Sequence, residues 1–390
     1  MKEEVRAHLI NDIIPFWKAL RDDEYGGYYG YMDYDLTLDK KAVKGCILNS
    51  RITWFFSNAY TLLKDPSLLD EARHGYEFLR DHCLDRENGG IYWTINYDGS
   101  PADTMKHTYN QGFAIYALSS YYEASGDEEA LKLAKGIFNV IESKCHDEVG
   151  YMEAFDKNFN LIDNDALSEN GVMADKTMNT LLHVVEGYTE LYRVSGDLKV
   201  KEKLYEILDT FATKIYNPAL KRQEVFFDKN YNSIIDLYSY GHDIETSWLI
   251  DRTVEILGDP KYEKLIYPIT RDMAEAIYKI AFDGHSLATE CDKGVVEEKR
   301  VWWVQAETVL GFLNAYSKDP SQKKYLSAAE SVWQFIKENI IDKRENSGHE
   351  WYQEVSKTGV PDPKKPIVEP WKCPYHNGRM CFEVIKRNII

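Results

Sequence analysis

Along the chain, stretches that are apolar on most sides alternate with stretches that are apolar on one side only. SRITWFFSNAYTLL, HTYNQGFAIYALSSYY, KTMNTLLHVVEGYTELY, HDIETSWLIDRTVEIL, VWWVQAETVLGFLNAY and CPYHNGRMCFEVIKR are of the first kind. EEALKLAKGIFNVIESK and LKVKEKLYEILDTFATKIY are of the second. A helix apolar all round is buried, and amphipathic helices cover it. The opening MKEEVRAHLINDIIPFW mixes charges with apolar residues at helical spacing, so it reads as a first helix and not as a signal peptide.

Two recurring signals punctuate these helices. The first marks short loops: LKDPSLLDEA, SGDEEALKLA, SGDLKVKEKL, LGDPKYEKLI and SKDPSQKKYL carry Gly as a C-terminal cap or Asp as an N-cap with Pro just inside. The second is a turn-like stretch rich in Gly, Asp and Asn near residues 26, 89, 150, 222, 284 and 348, followed by aromatic or β-type residues. Its period, roughly 60 to 70 residues, holds a pair of helices with their loops. Six hairpins therefore predict an all-α fold, an (α/α)6 barrel with six inner helices inside an outer ring, built as one catalytic domain over residues 1–390. Open solenoids of the TPR or HEAT type have shorter repeats.

Composition narrows the ligand. A formal charge of −17 argues against nucleic acid or an anionic membrane surface, and no apolar run is long enough to cross a bilayer. Six scattered cysteines show no CxxC or His-Cys pairing, so the expectation is reduced thiols in a cytoplasmic protein with no metal. Neither GxxxxGK[ST] nor GxGxxG occurs, and no nucleotide cofactor is expected. The expected oligomeric state is a monomer.

Each inner helix begins with polar or aromatic residues that a core helix should avoid: Arg51; His107, Tyr109 and Asn110; Asn179 and His183; His242 and Glu245; Trp302, Trp303, Gln305 and Glu307; His376, Asn377 and Arg379. Inner helices of stacked hairpins run the same way, so these starts converge on one mouth, rimmed by the glycine-containing loops. Burying such groups unpaired would cost a few kcal/mol each. Histidines with a carboxylate suit proton transfer near neutral pH. Trp302, Trp303, Trp371 and Tyr109 add flat faces that suit sugar rings. Simpler readings accompany some positions: Asp175 and Thr177 as helix caps, Glu186 as a solvated or loop-pairing residue, and Arg379 as a counter-charge to an acidic mouth. A glycoside hydrolase using Asp175, Asp243, Glu245 or Glu307 is the rival enzyme. A non-catalytic sugar-binding repeat protein is the rival of another class.

HTYNQGFAIYALS, LSENG with ADKTMNTLLHVVE, SYGHDIETSWL, KRVWWVQAE and PWKCPYHNGRM resemble the N-acylglucosamine 2-epimerase family, and the resemblance runs from Phe16 to Arg387. It implies the same (α/α)6 barrel and epimerisation at C2 of the reducing-end glucose of a β-1,4-linked disaccharide such as cellobiose or lactose. The family also includes enzymes of N-acetylglucosamine and isomerases that make ketoses. The resemblance implies catalytic roles for His242, His376, His183 and Glu245. His242 and His376 would be the acid–base pair, and Glu245 would orient or polarise its neighbour. His183 and Arg51 would stabilise a cis-enediolate, and Tyr109 and Asn179 would hold sugar oxygens. Trp303 and Trp371 would be platforms for the two rings, with Asp175 and Glu307 also contacting substrate.

Overall fold

The structure, a computed structural model, describes residues 1–390 apart from 164, 169, 170, 388 and 390. Glu169 and Asn170 of the LSENG motif thus lie outside the described residues. Among the described residues, six inner helices, Cys46–Leu63, Thr108–Ser125, Met178–Ser195, Tyr240–Leu257, Trp302–Lys318 and His376–Arg387, form a closed ring. Each packs on the next, and the sixth returns to the first. Around them lie the outer helices 2–18, 66–83, 128–145, 198–215, Pro260–Ile280 and 323–340. Burial follows the two hydrophobic patterns: every residue from Thr108 to Tyr121 is buried, whereas Glu128–Val140 buries only Ala130, Ala134, Ile137 and Phe138, one stripe at helical spacing.

Four short loops are built as their signals predict. Asp65, Asp127, Asp197 and Asp259 are N-caps whose side chains accept from the backbone N–H two residues on. Gly126, Gly196 and Gly258 end the preceding helices with positive φ. The fifth departs from expectation. Asp319 is not an N-cap; its carboxylate turns onto Ser321, and the outer helix starts only at Lys323.

The long connections explain the glycine-rich repeats. Asp22 accepts from the N–H groups of Glu24 and Tyr25, Asp85 from Glu87 and Asn88, Asp147 from Val149 and Gly150, and Asp283 from His285 and Ser286. In each case the other carboxylate oxygen holds a buried cation that stands two residues before the next inner helix. The distances are 2.6 Å to Lys44, 2.9 Å to Lys106, 2.6 Å to Lys176 and 2.8 Å to Arg300. This staple fixes where four of the six inner helices begin, those starting at Cys46, Thr108, Met178 and Trp302, and with it the height of the side chains they bring to the mouth.

Two-residue ladders link neighbouring repeats around that mouth. Lys44–Gly45 pairs with Thr94–Ile95, Lys106–His107 with Ala154–Phe155, Lys176–Thr177 with Phe226–Phe227, and Arg300–Val301 with Glu354–Val355. The ring is sealed where the first outer helix meets the last repeat. There Trp17 Nε1 donates to Glu350 at 2.7 Å and Trp351 Nε1 donates to His8 Nε2 at 2.8 Å.

Candidate active site

At the N-terminal ends of the inner helices lies a cavity of about 320 Å³, lined by Arg51, Tyr109, Asn179, His183, His242, Glu245, Trp302, Trp303, Trp371 and His376 among others. A larger one, about 910 Å³, opens at the other end of the ring between Pro260–Ile280 and residues 311–325, and no histidine or tryptophan lines it. The histidines and tryptophans anticipated for the site gather at the first.

Close backbone approaches set this constellation. A Cβ at Gly187 would lie 2.5 Å from the Gly112 carbonyl, so the helix carrying His183 presses onto its neighbour only because both positions are glycine. A Cβ at Gly241 would lie 2.6 Å from the Trp303 ring, which therefore slides over the helix start beside His242.

Each of three histidines has its Nδ1 fastened, leaving Nε2 as the nitrogen toward the cavity. His376 Nδ1 lies 2.7 Å from Glu307 Oε1 and His183 Nδ1 lies 2.9 Å from Glu186 Oε2. His242 Nδ1 lies 2.7 Å from the Ser239 hydroxyl. The Trp303 ring stands between two of them, with centroids 4.7 Å from His242 and 5.4 Å from His376. Burial disfavours the imidazolium in all three. It lowers His242 to about 3, with His183 adding to the effect, and His183 to about 4 against the pull of Glu186. His376 is also lowered by burial and by the nearby Arg379 and Arg51. These rings are neutral at pH 7 and able to take up a proton.

Beneath the histidines one guanidinium serves three carboxylates. Arg379 donates to Glu186 at 2.5 Å, to Glu307 at 2.7 Å and to Glu245, and is 2% exposed. Burial raises Glu186, but Arg379 and His183 outweigh it and hold this carboxyl down at about 2. Burial and the proximity of Glu307 push Glu245 up to about 8, and burial also raises Glu307. Above the histidines Arg51 donates to the Tyr109 hydroxyl at 2.7 Å and lies over the Phe113 ring at 4.2 Å.

Of the residues anticipated for the site, Arg51, Tyr109, Asn179, His183, His242, Glu245, Trp303, Trp371 and His376 all line the cavity. Two do not. Glu307 has no exposed surface and stands behind His376, where it also accepts from Trp248 Nε1. Asp175 is exposed and engages its neighbours through its backbone, and the helix cap is Thr177. Glu245 does not pair with His242 as their spacing suggested. Its carboxylate turns to Arg379, 3.9 Å from His376 Nδ1, and its Oε2 is unpartnered. Glu186, read as a solvated or loop-pairing residue, is buried and holds His183. Arg379 is the hub of the buried charges and no surface counter-ion.

Several polar residues at the helix starts have structural work instead. Gln111 and Gln305 bracket the backbone of Ile91 and Leu287, Asn110 donates to the Tyr92 carbonyl, Asn377 donates to Glu350, and Asp243 accepts from Gln223 N–H. His107 caps its own helix by accepting from Tyr109 N–H at 3.3 Å. Ser239 and Tyr375, whose hydroxyl donates to Glu186 at 2.5 Å, were not anticipated. The signal for Glu186 was present, because His183 and Glu186 repeat the three-residue spacing of His242 and Glu245.

Among the described residues, Glu245, Glu307 and His376 form one group able to converge on a metal ion. Both carboxylates already face Arg379, so the positive charge that a metal would bring there is supplied by the chain.

A family model described as N-acylglucosamine 2-epimerase (GlcNAc 2-epimerase) matches residues 27–377. A protein of Ruminococcus albus named cellobiose 2-epimerase is 54% identical over 389 residues, covering 100% of this chain and 99% of its own. The crystal structure of a sugar epimerase from a ruminal bacterium has a TM-score of 0.98 and 53% identity, covering 100% of both chains. Cellobiose 2-epimerase from Bacillus thermoamylovorans B4167 has a TM-score of 0.93 and 45% identity, covering 99% of this chain and 98% of its own.

Proposed function

The chain belongs to the N-acylglucosamine 2-epimerase family, and from that premise we propose that it epimerises C2 of the reducing-end glucose of β-1,4-linked disaccharides, converting cellobiose to 4-O-β-D-glucosyl-D-mannose and lactose to epilactose. The observation that carries the reading is the set of three neutral histidines around one cavity, each with Nδ1 held and Nε2 left for substrate.

The C2 hydrogen of a sugar becomes acidic only when the ring is open and C1 is an aldehyde. His242 and His376 form the acid–base pair: one neutral Nε2 removes the C2 proton and gives a cis-enediolate. The imidazolium so formed returns the proton after rotation about C2–C3, or the other ring does so from the opposite face once it has been protonated in turn by exchange with solvent. An imidazolium that burial disfavours reprotonates carbon readily. The hydroxyl of Ser239 can donate to or accept from His242 Nδ1, so His242 can present either a bare or a protonated Nε2. Arg51, a preorganised donor, stabilises charge on O1 and O2. Trp303 carries the reacting ring between the two histidines. Trp371, on the cavity wall with its ring 5.6 Å from that of Trp93, carries the second sugar.

The whole chain acts as one catalytic barrel, without metal, as a monomer in the cytoplasm. Six free, buried cysteines support a reducing compartment, and among the described residues no helix is long and apolar enough to cross a membrane. Incubation with cellobiose followed by chromatography and mass spectrometry tests the reaction. The expected product is a new disaccharide of unchanged mass with no free glucose. Released glucose would mean a hydrolase, and unchanged cellobiose a binding module.

A further inference from the structure

We infer that Glu186 is the positioning residue of His183, fixing its ring with hydrogen on Nδ1 so that His183 meets the sugar through a bare Nε2, as a hydrogen-bond acceptor; this rests on the proposed epimerase reading. Three contacts converge on the Glu186 carboxylate, all from donors: His183 Nδ1 at 2.9 Å and the Tyr375 hydroxyl at 2.5 Å on Oε2, and Arg379 at 2.5 Å on Oε1. Arg379 beside it keeps the group ionised. An ionised carboxylate only accepts, so the imidazole hydrogen must sit on Nδ1, and the neutral ring then has a lone pair on Nε2.

The two residues share one face of the helix Met178–Ser195, so the pairing is set by local register. The Gly187 contact with Gly112 then seats that face against the adjacent inner helix. Placing hydrogen on Nδ1 corrects the role expected from the sequence, in which His183 stabilised the enediolate. A bare Nε2 cannot donate to an enediolate oxygen. Arg51 and the Tyr109 hydroxyl are the donors on that side, and His183 receives a sugar hydroxyl. His242 differs because its partner is a hydroxyl, which fixes no tautomer.

Glu186→Gln tests the assignment with little change of shape. Arg379 can only donate, so it captures the amide oxygen, and the amide NH₂ then faces His183 Nδ1 and drives the hydrogen to Nε2. Nitrogen-15 correlation spectra of protein labelled at histidine, assigned with His183→Gln, should show hydrogen on Nδ1 in the wild type and on Nε2 in Glu186→Gln. The variant's kcat should fall about 10- to 100-fold, the size of one mispaired buried hydrogen bond, with KM within a few-fold and a melting temperature lowered by no more than about 4 °C, since Arg379 keeps Glu245 and Glu307. Hydrogen on Nε2 in the wild type would overturn the inference whether or not the variant folds. So would a tautomer that flips while kcat stays within twofold. Failure of the wild type to convert cellobiose would instead count against the epimerase reading, since the tautomer is measured without substrate.

Discussion

Replacing Lys106 with methionine isolates the staple that sets the height of one inner helix, Thr108–Ser125. Lys106 has no exposed surface, and its Nζ lies 2.9 Å from Asp85, itself 1% exposed, and 3.1 Å from the Gly89 carbonyl. Burial raises the Asp85 carboxyl, but Lys106 and the N–H groups of Glu87 and Asn88 outweigh it and hold it at about 2. Removing one member of a buried pair leaves an uncompensated charge and costs about 3 to 5 kcal/mol. Asp85 keeps its bonds from Glu87 and Asn88, so the loss should sit near 3 kcal/mol. An unfolding entropy of about 2 cal/mol/K per residue makes that a fall in Tm of roughly 4 °C for a chain of this length. Calorimetry of Lys106→Met, Asp85→Asn and the double variant reads it, and the double variant should recover at least half, because it leaves no orphan charge. The pH dependence has a definite sign. Asp85 is depressed from 3.8 to about 2, so its contribution is present above 3.8 and lost as pH falls through that window. That acid-sensitive component should shrink in Lys106→Met, which removes the largest of the groups that lower Asp85 and leaves those of Glu87 and Asn88. A Tm change below about 1 °C, or a double variant no better than the single, would refute the staple.

Three further outcomes follow from the site. His183 titrates at about 4 in the folded protein against 6.5 in a free side chain, so the unfolded chain takes up its proton first. Stability should fall by up to about 3 kcal/mol as pH drops through that interval, and the acid limb of kcat/KM should lie below about pH 5, measured by unfolding and by initial rates. Glu245 is raised from 4.5 to about 8 and acts oppositely, giving stability that is lost as pH rises through that range; Glu245→Gln should flatten this alkaline loss. Trp371→Ala should raise KM for cellobiose more than it lowers kcat, because stacking on a ring remote from C2 is largely uniform binding; an unchanged KM would remove Trp371 from the second sugar's position.

The sequence made the layering legible because hydrophobic periodicity reports burial directly: Thr108–Ser125 and Glu128–Val140 differ in pattern as they differ in burial. The histidines were legible for a related reason, since an imidazole on a helix apolar elsewhere has no packing role. Their partners were harder to read. Glu186, Glu307 and Arg379 are joined across 193 and 72 positions of sequence, and a carboxylate looks the same in sequence whether it is solvated or held by a buried guanidinium. Local spacing even misled: His242 and Glu245 share a helix face, yet one turns to Ser239 and the other to Arg379. Polar helix starts were also read too uniformly. Asn110, Gln305 and Asn377 tie down loops and backbone, a task that needs a buried amide as much as substrate binding does. The KDP signal at 318–320 marked the turn but not the helix start: Asp319 accepts from the Ser321 N–H as the true caps do, yet the helix begins only at Lys323.

The central claim is that the C2 hydrogen passes through His242 and His376, and the path of that hydrogen tests it most directly. Cellobiose converted in D₂O should give a mannose unit with deuterium at C2 at early conversion, because an imidazole proton exchanges with solvent. EDTA should leave the rate unchanged, and His242→Ala and His376→Ala should each lower it on the order of 10² to 10⁴-fold. A hydride shift would carry hydrogen between carbons without exchange. New disaccharide free of deuterium, formed at a rate that EDTA abolishes, would contradict the histidine mechanism.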